Sequence, residues 1–416
     1  MELLLEDGSR TKGGVGLVSI LCRFLACLSF LQGCTGATQE TIVRETSQER
    51  MERLSVLTYN TLHGLEVGRF SARQGELEGE RAARLALQIE NMAKVAPDLM
   101  LLQEVNPLPD AALAYVDGLK QSGLDYTGVH QVDACGIRLS SNLAVMPDLN
   151  NGIVVLAKAP FRIRKLAGVK LSGGIGGCDD NRGVQFGELR YAVIAEIEDS
   201  VTRKKFLAVS LHLHSGIERD EFFMQRLIVA QLQGRLPKEG EYQQLLAALA
   251  VDQQRRIEEL RTLVRELQIL QAKEHYAGVL IGGDFNFEPD SPEYRALHDA
   301  GLKDTYVLAG KPGELNSYDP KRNPIARNAE IELPPALNSI IRTMPEEDRQ
   351  KIVEGYQRGL SMARRIDFIF VMLSESPNPR GCLRQELFGQ PGPVLLDVGS
   401  DHFGVLTTYT TEGGPC

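Results

Sequence analysis

Polar residues in this sequence fall at the ends of short apolar runs. Short apolar runs, most of them rich in β-branched residues, recur along the sequence, and several close on a side chain that carries charge or binds it. Leu54–Asn60 ends on Thr58, Tyr59 and Asn60. Leu99–Val105 carries Gln103 and Glu104 near its end, and Phe206–His212 ends on the histidine. Val279–Gly282 leads into Gly283, Asp284, Phe285 and Asn286. Ile366–Val371 contains Asp367, and Val405–Tyr409 follows Ser400, Asp401 and His402. Runs of this length and composition read as strands. Carboxylates and histidines at strand ends face loops, where a rigid sheet holds them around one site. Singly, each has a plain alternative: Gln103-Glu104 reads as a solvated end, Gly-Gly-Asp-Phe-Asn as a turn, and His402 as a satisfied edge histidine. Asp367 is the hardest to dismiss, because a carboxylate inside an apolar strand is expensive unless paired.

Further strands are expected at Ile153–Leu156 and Tyr191–Ile197. Arg81–Ala96 places Leu85, Ile89, Met92 and Ala96 on one helical face, and Pro97 stops it. Many strands with few helices predict two sheets packed face to face with helices outside. Two segments look like additions. Residues 218–275 read as a helical hairpin broken near Gly234–Gly240, with Ile257, Leu260, Val264 and Leu267 on one face of its second arm. Pro312–Gln357 is Pro- and Asn-rich, then weakly helical. Ser172–Gly177 is glycine-rich but lacks the Lys-Ser/Thr of a phosphate-binding loop, so it reads as a flexible loop.

The N-terminus differs in texture. Val15–Gly33 is apolar except for Arg23, follows Arg10 and Lys12, and ends Leu31-Gln32-Gly33 before Cys34. A central charge disfavours a permanent span. A positive start, an apolar centre and a small residue before the cut fit a signal peptide, residues 1–33, with a lipobox-like end that makes Cys34 the lipid attachment site. Residues 34–53 are polar and aperiodic, a tether. The expected location is the cell envelope, lipid-anchored and facing the periplasm or exterior. In that oxidising setting Cys135, Cys178, Cys382 and Cys416 are free to form disulfides, whose pairing the sequence leaves open. No zinc spacing is present.

The segments LTYNTLHG (57–64), APDLMLLQEV (96–105), NNGIVVLAKAPF (150–161), VSLHLHSG (209–216), GVLIGGDFN (278–286), RRIDFIFV (364–371) and GSDHFGV (399–405) together resemble the endonuclease/exonuclease/phosphatase superfamily, of deoxyribonuclease I-like fold. The resemblance runs through residues 54–411 and implies a four-layer α/β sandwich. It also implies divalent-metal-dependent hydrolysis of phosphoesters, with Mg²⁺ the expected ion and Mn²⁺ or Ca²⁺ as alternatives. Carried over position by position, it makes Glu104 the metal-binding glutamate, with Asn60 beside it and Asp401 near the metal. Asp284 and Asn286 become the pair that orients the attacking water, His402 the histidine facing the phosphate, and Asp367 its partner. His212 becomes the histidine of the His-Leu strand end, with His214 a competing candidate.

The chemistry explains the residue types. Hard oxygen ligands suit Mg²⁺, which takes few protein carboxylates and keeps several waters. A carboxylate beside His402 fixes its tautomer and favours the imidazolium, which then offers charge-assisted bonds to a phosphate. Arg182, beside the glycine-rich segment, is within reach of an anionic substrate, and Tyr318 through Asn323 lies where a rim loop is expected and reads equally as a pocket rim or as a plain turn.

With 55 acidic against 46 basic residues the formal net charge is −9, which argues against a broad nucleic-acid-binding face. The expected substrate is a phospholipid or other small phosphodiester, bound near a membrane. The alternatives are a secreted nuclease, which requires a local basic rim, and a binding module that has lost catalysis. Retention of the whole polar set argues against the second.

Overall fold

The apolar runs form strands, and the strands assemble into two sheets. The computed structural model describes residues 53–64, 78–134, 137–138, 144–145, 150–179, 182–215, 239–328, 342, 344–360, 363–373, 382–390 and 398–410, all within the unit Thr46–Cys416. In chain order the elements are β1 (Arg53–Asn60), α1 (Glu78–Val95), β2 (Leu99–Val105), α2 (Asp110–Gln121), β3 (Tyr126–Ala134), β4 (Ile137–Arg138), β5 (Ala144–Val145) and β6 (Asn151–Lys158). There follow β7 (Phe161–Asp179), β8 (Arg182–Asp199), β9 (Lys205–His212), α3 (Glu239–Lys273), β10 (Gly278–Asp284), α4 (Pro292–Asp299) and β11 (Lys303–Asp304). The chain closes with α5 (Glu346–Leu360), β12 (Asp367–Leu373), β13 (Cys382–Phe388) and β14 (Gly404–Thr410).

The six-stranded sheet runs β13-β14-β1-β2-β6-β3, and the eight-stranded sheet runs β11-β12-β10-β9-β8-β4-β5 with β7 paired to β8. Each sheet has a parallel pair inside it, β1–β2 and β9–β10, flanked by antiparallel neighbours. A parallel pair needs a long crossover, and α1 and α3 lie in those two connections. Parallel pairing brings carboxyl ends to one edge, so Asn60 stands opposite Gln103 and Asp284 opposite His212. An antiparallel neighbour presents its start at that same edge. Asp367, first in β12, stands opposite Asp284, and β14 begins two residues after His402.

Leu57, Leu101, Val155, Val193, Ala195 and Ile369 are buried in one cluster, which Met92 of α1 and Leu119 of α2 join. A second cluster packs Leu260, Leu263 and Leu267 of α3 and Leu297 of α4 against Val209, Ile281 and Phe285. The layers are helix, sheet, sheet, helix, the deoxyribonuclease I-like α/β sandwich. The sheets approach closely at β10: a Cβ on Gly282 would stand 2.5 Å from Leu101 Cδ1. Only glycine fits there without displacing a neighbour.

Several expectations need correcting. Ser172–Gly177 is not a loop: it lies inside β7 and pairs with β8. Register shifts fall at 170–172 and 173–175, and Gly173 and Gly176 take φ of 109° and 107°, which glycine adopts freely. Lys170 Nζ donates to the carbonyls of Gly174 and Gly176. Of the expected helical hairpin, the second arm is α3, a single helix of 35 residues; residues 216–238 lie outside the described residues. Its buried face carries Arg256, Glu259, Leu260, Leu263 and Leu267, while Ile257 and Val264 are only half-buried.

Cys178 and Cys382 are each disulfide-bonded. The Cys178 carbonyl accepts from Gln131 of β3, and β3 and β13 are opposite edges of the six-stranded sheet, so the two cysteines belong to separate bridges. Cys34, Cys135 and Cys416, the expected signal peptide and the tether to residue 52 lie outside the described residues. Among the described residues no helix is long and apolar enough to cross a membrane.

Candidate active site

The shared edge of the two sheets gathers the polar set, and Asp284 Oδ2 is its centre. That oxygen lies 3.2 Å from Asn60 Nδ2, 3.5 Å from His212 Nε2 and 3.8 Å from His402 Nε2. Asp284 Oδ1 is held by the Asn286 backbone N–H at 2.9 Å. Asn60, Asp284, His212, Asp367 and His402 are all buried, so the charges act in a medium of low dielectric.

Glu104 joins from the six-stranded sheet. Its Oε1 accepts from Asn60 Nδ2 at 3.0 Å and its Oε2 from the His63 backbone N–H at 3.0 Å. The rings of His212 and His63 stand 3.9 and 3.7 Å from its two oxygens. Glu104 adopts φ of 57°, a left-handed conformation uncommon for a glutamate, where β2 loses register with β6. Burial pushes its carboxyl up, but the neighbouring histidines and the bonds from Asn60 and His63 outweigh it and hold the group well below the usual carboxylate range.

Asp401, half-buried, behaves in the opposite way. Desolvation raises its carboxyl first and the Glu104 charge adds to that, against pulls from His402 and His63. Ser400 Oγ ties this corner together: it donates to Asn60 O at 2.6 Å and accepts from the His402 backbone N–H at 3.2 Å.

The Asp367–His402 pair closes the site. Asp367 Oδ2 and His402 Nδ1 are 2.8 Å apart, which resolves the carboxylate in an apolar strand. Burial disfavours the imidazolium, but Asp367, Asp401 and Asp284 outweigh it and raise the ring well above its ordinary 6.5. The Tyr318 ring packs edge-on against His402 with centroids 5.4 Å apart.

These residues fit a divalent cation. Glu104, Asp284, Asp367 and Asp401 supply hard oxygen donors at one edge, and Asp367 Oδ1 is buried without a hydrogen-bond partner. Asp284, Asp367 and His402 place donor atoms within 4.8 Å of one another. Asn60 turns its amide N–H₂, not its oxygen, to the carboxylates, and its Oδ1 accepts from Leu62 N at 3.1 Å. It orients the carboxylates as the chain stands.

Other sequence expectations fall elsewhere. His214 is not in this cluster: its Nε2 pairs with Asp252 of α3 at 2.8 Å, and its backbone N–H binds Glu259. Asn286 Nδ2 donates to Leu213 O at 2.9 Å, so the side chain braces the chain just after β9, and it is the Asn286 backbone N–H that holds Asp284. Asn323 is no rim residue. It is fully buried, with Nδ2 donating to Ser400 O at 2.8 Å and Oδ1 accepting from Ile325 N at 2.9 Å at the start of the short helix Pro324–Asn328. Arg182 starts β8, and its side chain lies outside the described residues. Sequence reasoning missed His63, although it stands inside LTYNTLHG, and missed Ser317, which carries no charge to attract notice.

The sequence pattern of the Endonuclease/Exonuclease/phosphatase family matches residues 57–402. No curated protein matches the chain by sequence. Among solved structures, truncated TDP2 of Caenorhabditis elegans is similar at 16% identity over 86% of this chain and 98% of that one, with a TM-score of 0.49. An endonuclease/exonuclease/phosphatase from Bacteroides vulgatus gives 16% identity, 86% and 99% coverage and a TM-score of 0.49. A mannosyl-6-phosphatase of Bacteroides thetaiotaomicron gives 18% identity, 86% and 100% coverage and a TM-score of 0.46.

Proposed function

The chain belongs to the Endonuclease/Exonuclease/phosphatase family, and from that premise we propose that it is a Mg²⁺-dependent phosphodiesterase or phosphatase of the cell envelope, acting on a phospholipid or other small phosphoester. Members of the family are phosphoester hydrolases that use divalent metals. The observation that carries the reading is the Asp367–His402 pair aimed, with His212, at the carboxylates of Asp284 and Glu104.

Glu104 and its neighbouring carboxylates would hold a divalent ion, which would supply charge stabilisation at the phosphoryl oxygens. The chain's own groups do the rest. Asp367 accepts from Nδ1 of His402, which leaves Nε2–H free to donate to a phosphoryl oxygen. His212 offers a second ring from the end of β9. Asp284, fixed by Asn286 N and Asn60 Nδ2, is the acceptor for a proton of the attacking water. Asn60, bonded to carboxylates from both sheets, keeps the two halves of the site in register.

Two features support the envelope location. The apolar stretch ending at Cys34 fits a lipoprotein signal, and disulfides at Cys178 and Cys382 suit an oxidising compartment. The net charge of −9 favours a lipid or small phosphoester over nucleic acid.

A Mg²⁺-dependent panel on the full chain tests this reading: sphingomyelin, phosphoinositides, supercoiled DNA, RNA, bis(p-nitrophenyl) phosphate and p-nitrophenyl phosphate. Turnover of lipid or small phosphoesters above nucleic acid is expected. Faster cleavage of DNA or RNA would replace the substrate class with that of a secreted nuclease, and inertness towards all six would overturn the enzyme reading.

A further inference from the structure

The Asp367–His402 pair joins the two sheets: Asp367 opens β12 in one and His402 precedes β14 in the other. Hydrogen-bonded pairing within either sheet cannot fix the distance between them. Ser317, fully buried in the loop after α4 and β11, touches both sides. Its Oγ accepts from the backbone N–H groups of Ile366 and Asp367, at 3.1 and 3.0 Å. Its carbonyl accepts from the Phe403 backbone N–H at 2.7 Å. The next residue continues the clasp: Tyr318 exchanges two backbone bonds with Arg364, at 3.0 and 2.7 Å, and packs its ring on His402. Asn323 holds Ser400 from the same loop.

We propose that Ser317 is a positioning residue, a clasp between the sheets that sets the Asp367–His402 geometry through the backbones on either side of it. This role rests on the catalytic reading of that pair. The hydroxyl is the replaceable half of the clasp. Without it, two buried N–H groups at the start of β12 lose their acceptor, and the Asp367 carboxylate loses its fixed approach to His402. A small displacement at a reacting group is enough to lower turnover by about 100-fold.

The test uses the full chain with Mg²⁺ and bis(p-nitrophenyl) phosphate. Ser317→Ala should lower kcat by about 10- to 100-fold with KM little changed, and Ser317→Thr, which keeps the hydroxyl, should recover most of that loss. In an Asp367→Asn background Ser317→Ala should add little, because the two act through one geometry. Where the alanine variant does not fold, Ser317→Cys carries the same comparison. Losses that multiply independently in the double variant, or a threonine variant as slow as alanine, would overturn the clasp. Two failures are distinguishable. Full turnover by His402→Ala would remove the catalytic reading beneath the proposal, whereas an inactive His402→Ala beside a fully active Ser317→Ala would remove the clasp alone.

Discussion

Asp284 collects contacts from both sheets onto one oxygen, so the residues around it should not behave as independent contributors. Asp367→Asn keeps the shape of its partner's site but removes the charge, and should lower kcat by about 10²–10⁴-fold, the range of acid–base assistance. His402→Ala should remove at least as much, and the double variant little more, since units of this kind are non-additive. Steady-state kinetics on the three variants checks this. The same pair sets a pH dependence. His402 is raised above 6.5 by its carboxylate neighbours against the effect of burial. Its charged form therefore stabilises the folded chain fully below about 6.5, and that contribution is lost as pH rises through the raised value. The Tm advantage of wild type over His402→Gln, measured in EDTA, should shrink on the alkaline side. An advantage that grows with pH would show that the ring is not held charged.

At the scale of elements, α3 is tied to the sandwich by a buried ion pair. Arg256 Nη2 lies 2.8 Å from Glu293 Oε1 of α4, both almost wholly buried, and Arg256 Nη1 reaches His214 O. Arg256→Met leaves Glu293 buried and uncompensated, and should destabilise by about 3–5 kcal/mol. Adding Glu293→Leu should return much of that, which denaturant melts of the two variants will show. The strands that sequence made legible are β1, β2, β6, β8, β9, β10, β12 and β14, whose apolar runs lie within the sheets and carry an interior pattern. Of those it missed, β3, β7 and β13 border a sheet or continue a hairpin and face water on part of their length, so Lys, Gly and Gln dilute their apolar pattern, and β4, β5 and β11, two residues each, are too short to carry one. The site was legible for a related reason. Its charged members end interior strands, where a polar residue breaks a clear pattern. Ser317 acts from a loop through an uncharged hydroxyl that binds backbone groups, which leaves no such mark, and Asn323 stood out only as a rim candidate.

For the molecule as a whole, Cys178 of β7 lies beside β3 at one edge of the six-stranded sheet and Cys382 of β13 at the other, in separate disulfides. Reduction should lower Tm, each bridge contributing about 2–4 kcal/mol, and melts with and without reductant check it. The proposal for the molecule as a whole is that a hydrolytic centre lies where the ends of β1, β2, β9 and β10 meet the starts of β12 and β14. The most direct measurement is the rate of p-nitrophenol release from bis(p-nitrophenyl) phosphate by the full chain. It is taken in EDTA, after Mg²⁺ is restored, and again for His402→Ala. Release that is absent in EDTA, restored by Mg²⁺ and lost in His402→Ala is the predicted result. Release by His402→Ala at the wild-type rate would contradict the account.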